Sequence, residues 1–378
     1  MTLITAATMI LAGQVCRPGW LETSGRRILA CGAGTPPKAA DADFAECTVV
    51  AGFIDMHVHG GGGASYTEPR DIGHAADFHR RHGTTTTLAS LVSASPSQLI
   101  AGVRALSEAA RDGTIAGIHL EGPWLSRAHC GAHDPAQLRP PDPAEVDSVL
   151  AAGGDAIRMV TLAPELPGAD AAIRRFTAAG VIVAVGHTGA TYDQTRGAIA
   201  AGATVATHLF NAMPPLHHRD PGPVLALLQD PRVTCELIAD GVHVHPAVTA
   251  AVIEAAGPER VSAVTDAIAA AGCADGPYLL GAVPIDVASG IARVRGTSTI
   301  AGSTATMAQI FRNVCAVAGQ VAAVQMTATT PARALGLQGV GDLRAGYDAN
   351  LVVLDADLQV TAVMGGGDWL PGPAATTP

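Results

Sequence analysis

Two histidines two residues apart, His57-Val58-His59, follow the apolar run Val49-Val50-Ala51-Gly52-Phe53-Ile54 and lead into four glycines, Gly60 to Gly63. Alternate side chains on a strand share a face, so both imidazoles can reach one cation from a strand end. The glycines let the following backbone turn tightly beside them. A His-x-His pair alone is equally an ordinary loop feature, so its meaning depends on whether other donors recur at matching positions.

They do recur. Glu121 lies in His119-Leu120-Glu121-Gly122-Pro123, His187 in Val185-Gly186-His187-Thr188, and His208 in Thr207-His208-Leu209-Phe210-Asn211-Ala212-Met213. Asp240 and His243 follow a seventh apolar run, and Asp266 ends an eighth, in Val264-Thr265-Asp266. Singly, His187 and His208 read as core histidines and Glu121 as one half of an ion pair. Together they form a His/Glu/Asp donor set without cysteine, suited to zinc with an open position, or to iron, manganese or cobalt. A cation so held lets water act as a nucleophile near neutral pH. A further carboxylate must then move the proton, and Asp266 is the candidate. His119 is expected to point away from Glu121 and is left out of the set. His74, His79 and His82 fall in a helical stretch and read as surface, while His129 and His245 have no assigned role.

The elements that must position these groups show a regular beat. Strands are expected near Phe53–His57, Thr85–Leu91, Ile115–Glu121, Ile157–Leu162, Val181–His187, Thr204–His208, Val233–Asp240 and Val261–Asp266, each separated by room for a helix. Ser95-Pro96 and Asp142-Pro143-Ala144-Glu145 are helix starts, the second with a capping-box glutamate, and Thr330-Pro331 opens another. Eight such units predict an α/β fold, a (β/α)8 TIM-like barrel over residues 51–340, and every candidate falls at a carboxyl end, the active face of such barrels. Residues 1–50 and 341–378 alternate like antiparallel strands and are too short to bury separate cores. They are expected to combine into one small β-sandwich domain built from both chain ends. Residues 372–378 are expected to fray.

Composition narrows the function classes. Net charge is −10 with no basic stretch, which argues against nucleic acid. Seven scattered cysteines without a CxxC pair suit a reducing cytoplasm and argue against a disulfide frame or a thiolate zinc site. No apolar segment has the length and purity of a membrane span, and the N-terminus reads as a strand. Lys38 is the only lysine.

Gly52-Phe53-Ile54-Asp55-Met56-His57-Val58-His59-Gly60 resembles the metal-binding opening of the amidohydrolase superfamily. With the Glu121, His187, His208 and His243 strings, Ala301-Gly302-Ser303, and the closing Gly346-Tyr347-Asp348-Ala349-Asn350-Leu351, nearly the whole chain is similar to the N-acetylglucosamine-6-phosphate deacetylase family. The resemblance implies that Glu121, His187 and His208 hold a principal divalent metal and that His57 and His59 hold a second where there is one. It implies Asp266 as general base and then acid, and His133 polarising the acetyl carbonyl. Asn211, Ala212 and His243 would contact an amino-sugar phosphate, and Arg219 would reach the phosphate across a homodimer interface, although Arg219 also reads as an ordinary surface arginine. The implied reaction is hydrolysis of the acetamide of N-acetylglucosamine 6-phosphate. Superfamily members that bridge two metals through a carboxylated lysine are excluded, since Lys38 precedes the barrel; a second metal must share Glu121. Pro214-Pro215-Leu216-His217-His218 departs from the family pattern beside Arg219. The alternatives are an N-acetylgalactosamine 6-phosphate deacetylase, another amidohydrolase, or a metal-free barrel without catalysis.

Overall fold

The computed structural model describes residues 1–371; residues 372–378, where fraying is expected, lie outside the described residues. Eight parallel strands form one sheet: β1 (Phe53–Val58), β2 (Thr84–Leu91), β3 (Gly117–Glu121), β4 (Ile157–Leu162), β5 (Ile182–Val185), β6 (Ala203–Ala206), β7 (Thr234–Leu237) and β8 (Val261–Ala263). They pair in sequence order from β1 to β8, with an α-helix on each of the seven crossovers, as the strand beat predicts. The strands are short, apolar and buried on both faces, as a helix-covered parallel sheet requires. The seam between β8 and β1 closes beyond the strands: Asp266 N–H donates to His57 O (2.9 Å) and His59 N–H to Ala267 O (2.8 Å).

Contact density divides the chain into two compact units. Among the described residues, one comprises 1–55, 77–86 and 306–371; the other comprises 56–76 and 87–305. In the first, an eight-stranded sheet draws on both chain ends. Leu351–Leu354 runs antiparallel to Ala42–Ala51, with Val352 opposite Val50, and Thr2–Leu11 lies parallel to the same strand. The second holds every candidate site residue. It also contains a three-stranded antiparallel sheet, Gly276–Leu280, Val283–Ala288 and Ile291–Val294, inserted after β8 and absent from the sequence expectation. Leu280, Ile285, Val287 and Ala292 of that sheet share a core cluster with Ile268 and Ala301.

Several local expectations are corrected. Ser95 makes a full capping box with Gln98. Asp142 caps its helix, but Glu145 does not reciprocate because its carboxylate binds Arg139 and accepts from Trp124 Nε1 (3.3 Å). Thr330-Pro331 continues a helical stretch instead of opening one, following a π turn at Gln325–Thr329. That stretch, Met307–Ala334, is long and apolar enough for a membrane span, contrary to the expectation that none would be. It is interrupted at Gly319 and buries one stripe, Met307, Ile310, Phe311 and Val314, against the protein. His79 is fully buried because it falls on the inward stripe of its helix with Ala75, Ala76 and Phe78; His74 is exposed, as expected.

Candidate metal-centred active site

Glu121, the last residue of β3, is the hub. The Nε2 atoms of His208 (2.9 Å), His187 (3.1 Å), His59 (3.1 Å), His133 (3.2 Å) and His57 (3.4 Å) all converge on its carboxylate. Oε1 faces His187, His208 and His57, while Oε2 faces His59 and His133. Asp266 Oδ1 completes the seam side, 3.2 Å from His59 Nε2 and 3.4 Å from His57 Nε2. Each of these seven side chains is buried.

The backbone explains why they meet. Gly60 is packed so closely that a Cβ would lie 2.3 Å from Ala64 O, so the chain after His59 can turn back on itself only without a side chain. His187 and His208 do not end their strands as expected. They lie two residues beyond, at φ of 47° and 27°, and Asp266 sits at φ 48°. Non-glycine residues in the left-handed region are held there by their surroundings, at a cost of about 1–3 kcal/mol each. Ser303 is one such constraint: its N–H donates to Asp266 O (2.8 Å) and its Oγ to Thr265 O (2.6 Å).

Hydrogen bonds sort the imidazoles by tautomer. His57 Nδ1 donates to the Glu236 carboxylate (3.0 Å), His59 Nδ1 to Ser90 O (3.2 Å) and His187 Nδ1 to His129 O (2.9 Å). These acceptors cannot donate, so each of the three turns an Nε2 lone pair to the centre when neutral. His133 is reversed. Its Nδ1 accepts from Ser93 N–H (3.2 Å), which places the proton of the neutral ring on Nε2, facing Glu121 and the cavity. Burial lowers its pKa to about 4, so it is a neutral donor at pH 7.

The donor set suits a cation. Donors bound to one tetrahedral zinc at about 2.0–2.1 Å lie about 3.3 Å apart. The nitrogens of His187 and His208 are 3.1 Å apart and those of His57 and His59 3.3 Å. Two groups can chelate: His57, His59 and Asp266 on the seam side, and Glu121 with His187 and either His208 or His133 on the other. The reversed tautomer of His133 favours His208 in that role. The charges agree. Burial works against the His57 and His59 cations, yet Glu121 and Asp266 overcome it, raising His57 well above 6.5 and His59 to about 9. Burial likewise opposes ionisation of Glu121 and Asp266, and the facing histidines outweigh it and hold both below the usual carboxylate range. The centre favours positive charge, and a divalent cation meets that demand.

Above the cluster opens a cavity of about 430 Å³ lined by His59, Glu121, His133, His187, His208, Asn211, Ala212, His243 and Asp266. His57 lies beneath it with no exposed surface. His243 Nδ1 is 2.7 Å from Asp240 Oδ2, and that hydrogen bond and charge outweigh burial to lower the Asp240 pKa. Arg219 is not brought to the cavity of its own chain: it is exposed, with its guanidinium 2.7 Å from His218 Nε2.

Two groups depart from the sequence reading. His119 points into the barrel as Glu121 does, because residues two apart on a strand share a face. It bonds Ser90 Oγ (2.9 Å) and Thr161 Oγ1 (2.8 Å) and lies edge-on to His57 at 4.5 Å. Glu236 on β7 was not foreseen. It is fully buried, and its only sequence signal is a lone carboxylate inside the run Val233 to Ala239.

Residues 48–370 match the family model described as Amidohydrolase family. The chain is 36% identical to N-acetylgalactosamine-6-phosphate deacetylase of Escherichia coli O157:H7 over all of both chains. It is 37% identical to human N-acetylglucosamine-6-phosphate deacetylase, covering 84% of this chain and 82% of that one. Among solved structures it is similar to N-acetyl-D-glucosamine-6-phosphate deacetylase from Mycobacterium smegmatis in complex with N-acetyl-D-glucosamine-6-phosphate, with 53% identity, a TM-score of 0.96, and 97% and 98% of the two chains covered. The chain is a member of the amidohydrolase family.

Proposed function

We propose that this chain hydrolyses the acetamide of N-acetylglucosamine 6-phosphate to glucosamine 6-phosphate and acetate. The observation that carries the reading is the buried Glu121–histidine cluster at the floor of a sugar-sized cavity, with His133 turned as a donor and Asp266 as an ionised acceptor. The 53% identity to the Mycobacterium smegmatis deacetylase supports the gluco substrate. Glu121, His187 and His208 hold a divalent ion, zinc ahead of iron, manganese or cobalt, and His57 and His59 hold a second, so the subunit takes one or two. A divalent ion there supplies Lewis acidity and activates water near neutral pH. His133 Nε2–H donates to the acetyl oxygen as charge grows on it. Asp266 takes a proton from the attacking water and returns it to the amine nitrogen as the C–N bond breaks.

Asn211, Ala212 and His243 hold the sugar phosphate. Arg219, exposed and outside its own cavity, grips the phosphate in the partner's site of a homodimer, where a forked guanidinium suits a phosphate. In this reading residues 51–340 are the hydrolase barrel, 1–50 and 341–378 the composite β domain, and the free cysteines accord with a cytoplasmic setting. A second reading, the galacto epimer, draws on the end-to-end match to the Escherichia coli relative. A panel of N-acetyl amino sugars of both configurations, with and without the 6-phosphate, tests this. Fastest turnover of N-acetylglucosamine 6-phosphate is expected. Equal turnover of the unphosphorylated sugar would remove the phosphate assignments of Arg219 and His243, and preference for the galacto sugar would select the second reading.

A further inference from the structure

Glu236 is a carboxylate with no exposed surface in the middle of β7. Such a group is costly to bury unless it is bonded where it matters. Its Oε2 accepts from His57 Nδ1 (3.0 Å) and from the backbone N–H of His208 (3.2 Å), while its own backbone carbonyl accepts from Leu209 N–H (2.9 Å). Its Oε1 has no hydrogen-bond partner, nor does His208 Nδ1. His208 thus lacks the Nδ1 acceptor that His57, His59 and His187 each possess. Its backbone, in the left-handed region at φ 27°, is bonded to Glu236 instead.

We propose that Glu236 is a positioning residue shared by the two halves of the centre: through Oε2 it locks the His57 tautomer that presents Nε2, and it fixes the turn that carries His208. His57 belongs to the seam half with His59 and Asp266, and His208 to the half with Glu121 and His187, so one carboxylate aligns a ligand in each. An outer-shell partner of this kind changes metal affinity by about 10–100-fold. The inference rests on the proposed metal reading.

The test is titration of the full-length chain, stripped of metal, with Zn²⁺ and with Mn²⁺, for the unaltered chain and for Glu236→Gln. Failure of the unaltered chain to bind either ion would sink the metal reading itself. If it binds, Glu236→Gln is expected to weaken affinity by about 10–100-fold, with kcat lowered and KM for the sugar phosphate within about twofold. Equal affinity and stoichiometry in the two proteins would overturn the positioning role. Nitrogen-15 NMR of the histidines in the unaltered chain supplies a reading that does not depend on the variant folding. A proton on His57 Nδ1 with Nε2 free or metal-bound is expected, and a proton on Nε2 would overturn the proposal.

Discussion

The two halves of the centre are built differently. On the seam side, His57 and His59 come from one strand end, Asp266 enters from the loop that closes the barrel against it, and backbone hydrogen bonds between those segments hold the three together. On the other side Glu121, His187 and His208 come from three separate strand ends, two of them through left-handed turns. The seam half is nearly local in sequence apart from one closure. The other half exists only if β3, β5 and β6 are in register. A local pair is easy to gain or lose by substitution, whereas the three-strand half is as hard to remove as the barrel itself. The two halves meet at Glu121, each of whose oxygens faces a histidine of the seam: Oε1 faces His57 beside His187 and His208, and Oε2 faces His59 beside His133.

That contrast predicts where damage is greatest. Glu121→Gln removes the charge common to both halves. It is expected to abolish turnover and to lower divalent metal content in both halves, a larger loss than the about 10–100-fold typical of an outer-shell partner. Elemental analysis per subunit reads this out; one ion fully retained would mean that the halves do not depend on the shared carboxylate.

Next comes Asp266→Asn. Proton transfer by a placed side chain is worth about 10²–10⁴-fold, and turnover should fall by that factor while metal content holds. Loss of metal along with turnover would place Asp266 among the ligands, beside His57 and His59, instead of in the proton-transfer role. His133→Phe should follow at about 10²–10³-fold in kcat, the usual effect of removing one oxyanion donor, again with metal retained. Metal lost in this variant would mean that His133 coordinates, contrary to its hydrogen bond from Ser93.

How much of this was legible in the sequence follows from range. The barrel could be read because each strand is a short apolar run followed by a helix-length segment, a local signal. The donors could be read because the carboxyl ends of barrel strands are where such groups gather. What escaped was set by contacts between distant segments. The buried role of Glu236 depends on His57, 179 residues away, and that of His119 on Ser90 and Thr161. The positive φ of His187 and His208 has no sequence mark, since neither is glycine. The sheet of Gly276–Leu280, Val283–Ala288 and Ile291–Val294 alternates as strands do, but it lies past the eighth beat, where the barrel pattern no longer sets an expectation.

The smallest effect on activity tests the comparison most directly. Replacing the seam pair together, His57→Gln with His59→Asn, leaves Glu121, His187 and His208, which in the proposed function are a sufficient three-ligand catalytic set. Metal stoichiometry should drop while turnover falls by less than the about 10²-fold expected for a lost catalytic donor. The reasoning is geometric: Oε1 of Glu121 remains with His187 at 3.1 Å and His208 at 2.9 Å, and His133 still faces the cavity from Oε2. Asp266 loses two neighbours but keeps its backbone anchors, His57 O and Ser303 N–H, which are main-chain groups that the substitutions do not touch. Activity should therefore track the three-strand half and stoichiometry the seam. Complete loss of turnover with the remaining ion still bound would reverse that order and make the His-x-His pair, not the three-strand set, the centre of the chemistry.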